Sequence, residues 1–116
     1  MKSGLRVLIV EDEMLVALLA EAFISDLGHY PVGPAFCLDE ALALARHETL
    51  DAAMLDMNLG DAKSFPVADL LRARGVPFFF ATGYGVEAVR SLYGEAPAIA
   101  KPYSMSDIRS ALSDVT

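Results

Sequence analysis

The chain has 116 residues, of which 54% are hydrophobic and 22% charged, a length and apolar content that fit residues 1–116 forming one compact domain around a single core. Sixteen acidic against nine basic residues give a net charge of −7, and the bases are scattered, so direct nucleic-acid binding is disfavoured. The longest apolar runs, Val7 to Val10 and Val76 to Ala81, fall far short of the roughly 18 residues a membrane span needs, and the N-terminus lacks the apolar stretch and cleavage site of a signal peptide, so a soluble, cytoplasmic protein without membrane contact is expected.

Short β-rich apolar runs alternate with longer helical ones, which is the pattern of βα units on a parallel sheet. Leu5 to Val10 is a near-continuous branched run and predicts a strand buried on both faces. Glu13 to Leu27 predicts the first helix, with Leu15, Leu19 and Phe23 as its inward stripe, Ala22 alongside, and Gly28 in the left-handed position that ends it. His29 to Ala35 carries Pro31 and Pro34 and suits an edge strand. A short helix over Asp39 to His47 presents Ala41, Leu42 and Ala45 on one side, and Asp51 to Asp56 forms a third, central strand.

Asn58 to Lys63 is expected to be a loop, followed by a third helix capped by Ser64, admitting Pro66 in its first turn and stopping at Gly75. Val76 to Ala81 is the fourth strand, Val86 to Leu92 a short helix, Ala98 to Ala100 a small fifth strand, and Ser106 to Leu112 a closing amphipathic helix. The expected fold is therefore a doubly wound α/β domain with a five-stranded parallel sheet in the order 2-1-3-4-5. Cys37, with only His29 and His47 for company, offers no disulfide framework or metal spacing and is expected to be a partly buried, inert thiol.

In such sheets chemistry collects at the carboxyl ends of the strands. Strand one ends in Glu11, Asp12 and Glu13, strand three in Asp56, strand four runs into Thr82, and strand five delivers Lys101 and Pro102. Strands one, three and four should be neighbours, which brings Glu11, Asp12 and Asp56 into one crevice with Thr82 and Lys101 on its far side. At an effective dielectric near 20, two like charges ~4 Å apart repel by about 4 kcal/mol, and one lysine does not offset three acids. Either a pKa rises or a cation binds. Oxygen-only donors with room for water and a phosphate suit Mg²⁺, or Mn²⁺, better than a closed Ca²⁺ cage. A carboxylate beside such an ion, faced by a hydroxyl and an ammonium, is arranged to stabilise a phosphoryl group in transfer, with Asp56 as nucleophile.

These residues resemble the receiver domain of bacterial two-component response regulators over essentially the whole chain. LIVEDE supplies Glu11 and Asp12, MLDMNL places Asp56, FATG supplies Thr82, and AKPY supplies Lys101 before Pro102. The resemblance implies the flavodoxin-like receiver fold, with Mg²⁺ held by Asp12, Asp56 and the backbone carbonyl of Asn58, and Glu11 acting through water. It also implies that Asp56 accepts a phosphoryl group from a histidine kinase or histidine phosphotransfer protein, and that the Lys101–Pro102 bond is cis. Output is expected to pass to a downstream protein through the face formed by the fourth helix, fifth strand and fifth helix.

FATGYG is similar to the FAT GUY subgroup of mostly single-domain regulators from alphaproteobacteria. Ala98 occupies the fifth-strand position that elsewhere in the family carries a switch aromatic, so Gly83 and Tyr84 are the candidate substitutes, while Tyr103 is expected to be a packing residue. A haloacid-dehalogenase-like phosphatase is disfavoured because Asp12 is followed by Glu13 and Met14 rather than by a second spaced aspartate. An FMN binder is disfavoured because the acidic Glu11–Glu13 turn would repel its phosphate. A receiver that binds partners without being phosphorylated is the remaining alternative.

Overall fold

The computed structural model describes residues 3–116. In chain order the elements are β1 (Arg6–Val10), α1 (Met14–Asp26), β2 (Tyr30–Ala35), α2 (Leu38–His47), β3 (Ala52–Asp56), β4 (Asn58–Leu59), β5 (Ala62–Lys63), α3 (Phe65–Ala73), β6 (Phe78–Thr82), α4 (Val86–Leu92), β7 (Ala98–Ala100) and α5 (Met105–Val115). The main sheet is parallel, in the order β2-β1-β3-β6-β7. Counting only its own strands, this is the expected 2-1-3-4-5 order. The proline-bearing β2 lies at one edge, where its missing N–H groups cost no ladder bond.

The three central strands are buried on both faces, as their apolar runs require. One side of the sheet packs Leu8, Leu55 and Phe80 against α2 and α3, and the other packs Ile9, Met54 and Phe79 against α1 and α5. These layers fix the positions of the strand ends. Register matters most between β3 and β6, where Asp56 stands opposite Ala81 and so delivers the Asp56 carboxyl one residue short of Thr82.

Several helix ends are written in the sequence. Gly28 has φ +87°, and the Gly28 and His29 N–H groups donate back to the carbonyls of Ser25 and Ile24, closing α1 as a Schellman motif. The same arrangement ends α3 at Gly75. A capping box joins Ser104 and Asp107 and starts α5 one residue earlier than Ser106, while the helix runs on to Val115.

Four expectations need correction. The inward stripe of α1 is Ala17, Ala20 and Ile24, whereas Leu15 is 82% exposed and Leu18 and Leu19 are exposed beside it. The helix is apolar nearly all round, so its 3.6-residue period fits two stripes; the small alanines win the inner face because they let the helix approach β1 closely. Asn58 to Lys63 is an antiparallel hairpin rather than a loop, with Asn58 opposite Lys63 and Leu59 opposite Ala62. Ser64 stands at the α3 N-cap without a side-chain capping bond, because it is buried with its hydroxyl directed to the Met57 carbonyl. Cys37 is exposed, since the α2 N-cap position it occupies lies outside the packed layers.

Beside β7, Ala98 pairs with Phe80. The ring of Tyr93, from the C-cap of α4, packs on Phe80 at 5.3 Å and on Phe65 at 5.2 Å, and its hydroxyl donates to Asp69 at 2.9 Å. Among the described residues, no helix is long and apolar enough to cross a membrane.

Candidate functional site

β1, β3, β6 and β7 end together in an open cleft of about 320 Å³ lined by Asp12, Asp56, Asn58, Gly83, Tyr84 and Lys101, among others. Parallel strands in this order leave their C-terminal ends on one rim, so residues far apart in sequence meet there. Carboxylate oxygens of Glu11, Asp12 and Asp56 all lie within 4.8 Å of one another. Glu11 is only 2% exposed and Asp56 7%, while Asp12 faces solvent.

Each acid has a partner. The Lys101 ammonium donates to Glu11 Oε2 at 3.0 Å and to Asp56 Oδ2 at 3.4 Å. The Gly60 N–H donates to Asp12 Oδ2 at 2.8 Å, and the Asn58 N–H to Asp56 Oδ1 at 3.3 Å. Both of these amides belong to the β4–β5 hairpin. Lys101 therefore bridges the two buried carboxylates, and the hairpin serves Asp12 and, from the other side, Asp56.

Charge balance is still incomplete. Burial, then the adjacent Glu11 carboxylate, pushes the Asp56 carboxyl up to about 8 against the opposing pull of Lys101. For Lys101 burial acts downward but is outweighed by Glu11 and Asp56, so its ammonium is held above the ordinary lysine value. Burial of Asp12 is likewise outweighed by its hydrogen bonds, beginning with the Gly60 N–H, and its carboxyl falls below the usual range. The crevice thus favours the protonated form of Asp56 more than solvent does.

The donor set suits a hard divalent ion: converging carboxylate oxygens with no sulfur or imidazole in the group. Hairpin geometry also orients the Asn58 backbone. In a two-residue hairpin the pairs alternate between hydrogen-bonded and non-hydrogen-bonded outward from the turn. Leu59 and Ala62 flank the turn, and the Ser64 N–H donates to the Met57 carbonyl two pairs out, so Asn58 sits in the intervening non-hydrogen-bonded pair. Its backbone N–H and C=O face away from the ladder. The N–H meets Asp56.

Thr82 is 1% exposed at the end of β6, and its hydroxyl oxygen accepts from the Tyr84 N–H at 3.0 Å. Tyr84 itself is 76% exposed. The Lys101–Pro102 peptide is cis, as is Gly33–Pro34. Tyr103 is buried against the α1/α5 side as a packing residue, although its hydroxyl finds no hydrogen-bond partner among the described residues.

Glu11, Asp12, Asp56, Asn58, Lys101, Gly83 and Tyr84 are all brought to the cleft or its buried wall, whereas Thr82, expected at the rim facing Asp56, is buried and does not line the cleft but accepts from the Tyr84 N–H at its edge. Two contributors were missed: Gly60, and Lys63, whose ammonium donates to the Asn58 side-chain oxygen. The Gly60-Asp61 pair between two short segments was the available turn signal.

No protein-family model matches the chain. The chain is 36% identical over 114 residues to the phyllosphere-induced regulator PhyR of Methylorubrum extorquens, which aligns with 92% of this chain; the chain spans only 42% of that regulator's length. The solution structure of SdrG from Sphingomonas melonis Fr1 superposes with a TM-score of 0.85 at 41% identity, covering 99% of this chain and 98% of that one. The crystal structure of the response regulator PhyR from Brucella abortus matches with a TM-score of 0.83 at 30% identity, over 98% of this chain and 48% of its own. At 22% identity the same fold recurs, with a TM-score of 0.84 over 97% of this chain and 98% of the other, in the receiver domain of sensor histidine kinase PA1611 from Pseudomonas aeruginosa, a structure with magnesium in its active-site cleft.

Proposed function

The chain belongs to the response regulator receiver family, and from that premise we propose that Asp56 accepts a phosphoryl group from a histidine kinase or histidine phosphotransfer protein in a Mg²⁺-dependent reaction and that the phosphorylated chain signals by binding a partner protein. The observation that carries this reading is the convergence of three carboxylates within 4.8 Å with Lys101 at 3.4 Å from Asp56.

Asp12, Asp56 and the Asn58 backbone carbonyl would hold Mg²⁺, or Mn²⁺, with Glu11 reached through water. When bound, the ion supplies positive charge that orients and neutralises phosphoryl oxygens. The chain's own residues do the rest. Asp56, once deprotonated, forms the new P–O bond as the P–N bond of the donor phosphohistidine breaks and its electron pair returns to the imidazole. Lys101, already at Asp56, moves its ammonium onto a phosphoryl oxygen. Thr82 donates its hydroxyl to another, and in turning toward it withdraws from the Tyr84 N–H. That release makes Gly83 and Tyr84 the segment through which occupancy of Asp56 is reported, in place of the aromatic absent at Ala98. The chain acts as a signalling acceptor with slow self-dephosphorylation, not as a turnover enzyme.

Two surfaces fit two partners. Exposed Met14, Leu15, Leu18 and Leu19 form an apolar row on α1 that begins at the crevice rim beside Asp12, where a helical phosphodonor would seat. The downstream partner would use α4, β7 and α5, the face next to Tyr84. Such a protein would work in the cytoplasm, alongside its kinase.

The test is transfer from a phosphorylated histidine kinase. Wild type is expected to take up label only with Mg²⁺, and Leu15→Glu to slow that transfer at least about tenfold, consistent with about 1.5–3 kcal/mol for burying one leucine. The same variant should still be labelled normally by acetyl phosphate. A chain that binds partners yet takes label from no donor would instead be a phosphorylation-independent binding module.

A further inference from the structure

We propose that Lys63 is a positioning residue for the cation site, acting through Asn58. The inference rests on the Mg²⁺ reading given above and extends it to a side chain outside the crevice.

Asn58 and Lys63 are the non-hydrogen-bonded pair of the β4–β5 hairpin. Side chains approach most closely at such pairs, and here the Lys63 ammonium donates to the Asn58 side-chain oxygen. The pairing type also decides what the Asn58 backbone can do. In the observed register its N–H is free to reach Asp56 and its carbonyl is free of the ladder, while the turn places the Gly60 N–H on Asp12. A slip of one residue would exchange the pair types, drawing the Asn58 carbonyl into the ladder and lifting Gly60 from Asp12. The hairpin has only two residues in each strand, and its register is otherwise held by the Leu59–Ala62 pair and the bond from Ser64 to the Met57 carbonyl. Lys63 thus keeps an oxygen donor and two carboxylate-binding amides in place before a cation arrives.

The sign of the effect separates this role from simple electrostatics. Lys63 is a positive charge on the hairpin whose amides meet two of the carboxylates, so if charge alone mattered its removal would strengthen binding of a divalent cation. If Lys63 positions Asn58, its removal weakens binding instead.

The experiment measures Mg²⁺ affinity of the full chain by calorimetry, with amide hydrogen exchange of Asn58 and Gly60 in Mg²⁺-free buffer as a second readout. Lys63→Met is expected to raise the Mg²⁺ Kd by about two- to fivefold, the range a cross-strand pair supports, and to speed exchange at both amides. Lys63→Arg should restore both. Asn58→Ala, which keeps the backbone carbonyl, should reproduce the Lys63→Met effect, and the double variant should be no weaker than either single one. Unchanged or tighter Mg²⁺ binding by Lys63→Met, or additive losses in the double variant, would overturn the assignment of Lys63 while leaving the functional reading intact. A wild-type chain that takes up no Mg²⁺ would remove both.

Discussion

Two segments follow strands that carry site residues, and they are built in opposite ways. After Asp56 the chain turns at once into the β4–β5 hairpin, paired on itself and donating amides to Asp56 and Asp12. After Thr82 it passes through Gly83-Tyr84-Gly85, where Tyr84 is exposed and its N–H is held by the Thr82 hydroxyl. The first segment fixes donors in position before a ligand arrives. The second is tethered through the Thr82 hydroxyl, which is proposed above to engage a phosphoryl group. On the function proposed above, binding would thereby be separated from reporting: one side is preorganised, and the other would be released by contact with a phosphoryl group.

The largest effect expected from this contrast concerns pH, because the binding side keeps its acids together without a cation. Asp56 is pushed up to about 8 in the fold from 3.8, chiefly by burial and by Glu11. The fold therefore holds that proton more tightly than the unfolded chain does. Its contribution to stability is complete below the unfolded value and is lost as pH rises through about 8. Urea unfolding of the metal-free chain should show stability falling between about pH 5 and pH 9, with the slope reduced in Asp56→Asn. An equal slope in that variant would place the proton elsewhere in the crevice.

A smaller effect tests the reporting side. Thr82→Ala removes the acceptor of the Tyr84 N–H, and exchange at that amide should accelerate by about fivefold, as expected for a hydrogen bond worth about 1 kcal/mol. The Asn58 and Gly60 amides should be unaffected. Matching acceleration in the hairpin would mean that the two segments are one cooperative unit, and the separation drawn above would fail.

The sheet was legible because branched apolar runs such as Val7 to Val10 admit few alternatives and because prolines mark β2 as an edge. That order in turn made the crevice legible, since strand ends are found by counting. What escaped has physical reasons. On α1 the hydrophobic period fits two faces, and only close packing of Ala17 and Ala20 selects between them. The hairpin was hidden because two-residue strands carry almost no periodicity, although Gly60-Asp61 signalled a tight turn; with φ +62° at Gly60, the turn has the positive first angle such hairpins use. Lys63 reads as a solvated charge until its cross-strand partner is known. Tyr93 lies just past the short helix expected over Val86 to Leu92, and nothing local announces that its ring lies against Phe80, the strand partner of Ala98.

The central claim is that Asp56 is the phosphoryl acceptor in a crevice that needs a divalent cation. Its most direct test is incubation of the full chain with acetyl phosphate and Mg²⁺, followed by intact-mass and peptide mapping, beside Asp56→Asn and a sample with excess chelator. The account predicts one added phosphoryl group, located on Asp56 and absent from both controls. Undiminished labelling of Asp56→Asn would contradict it.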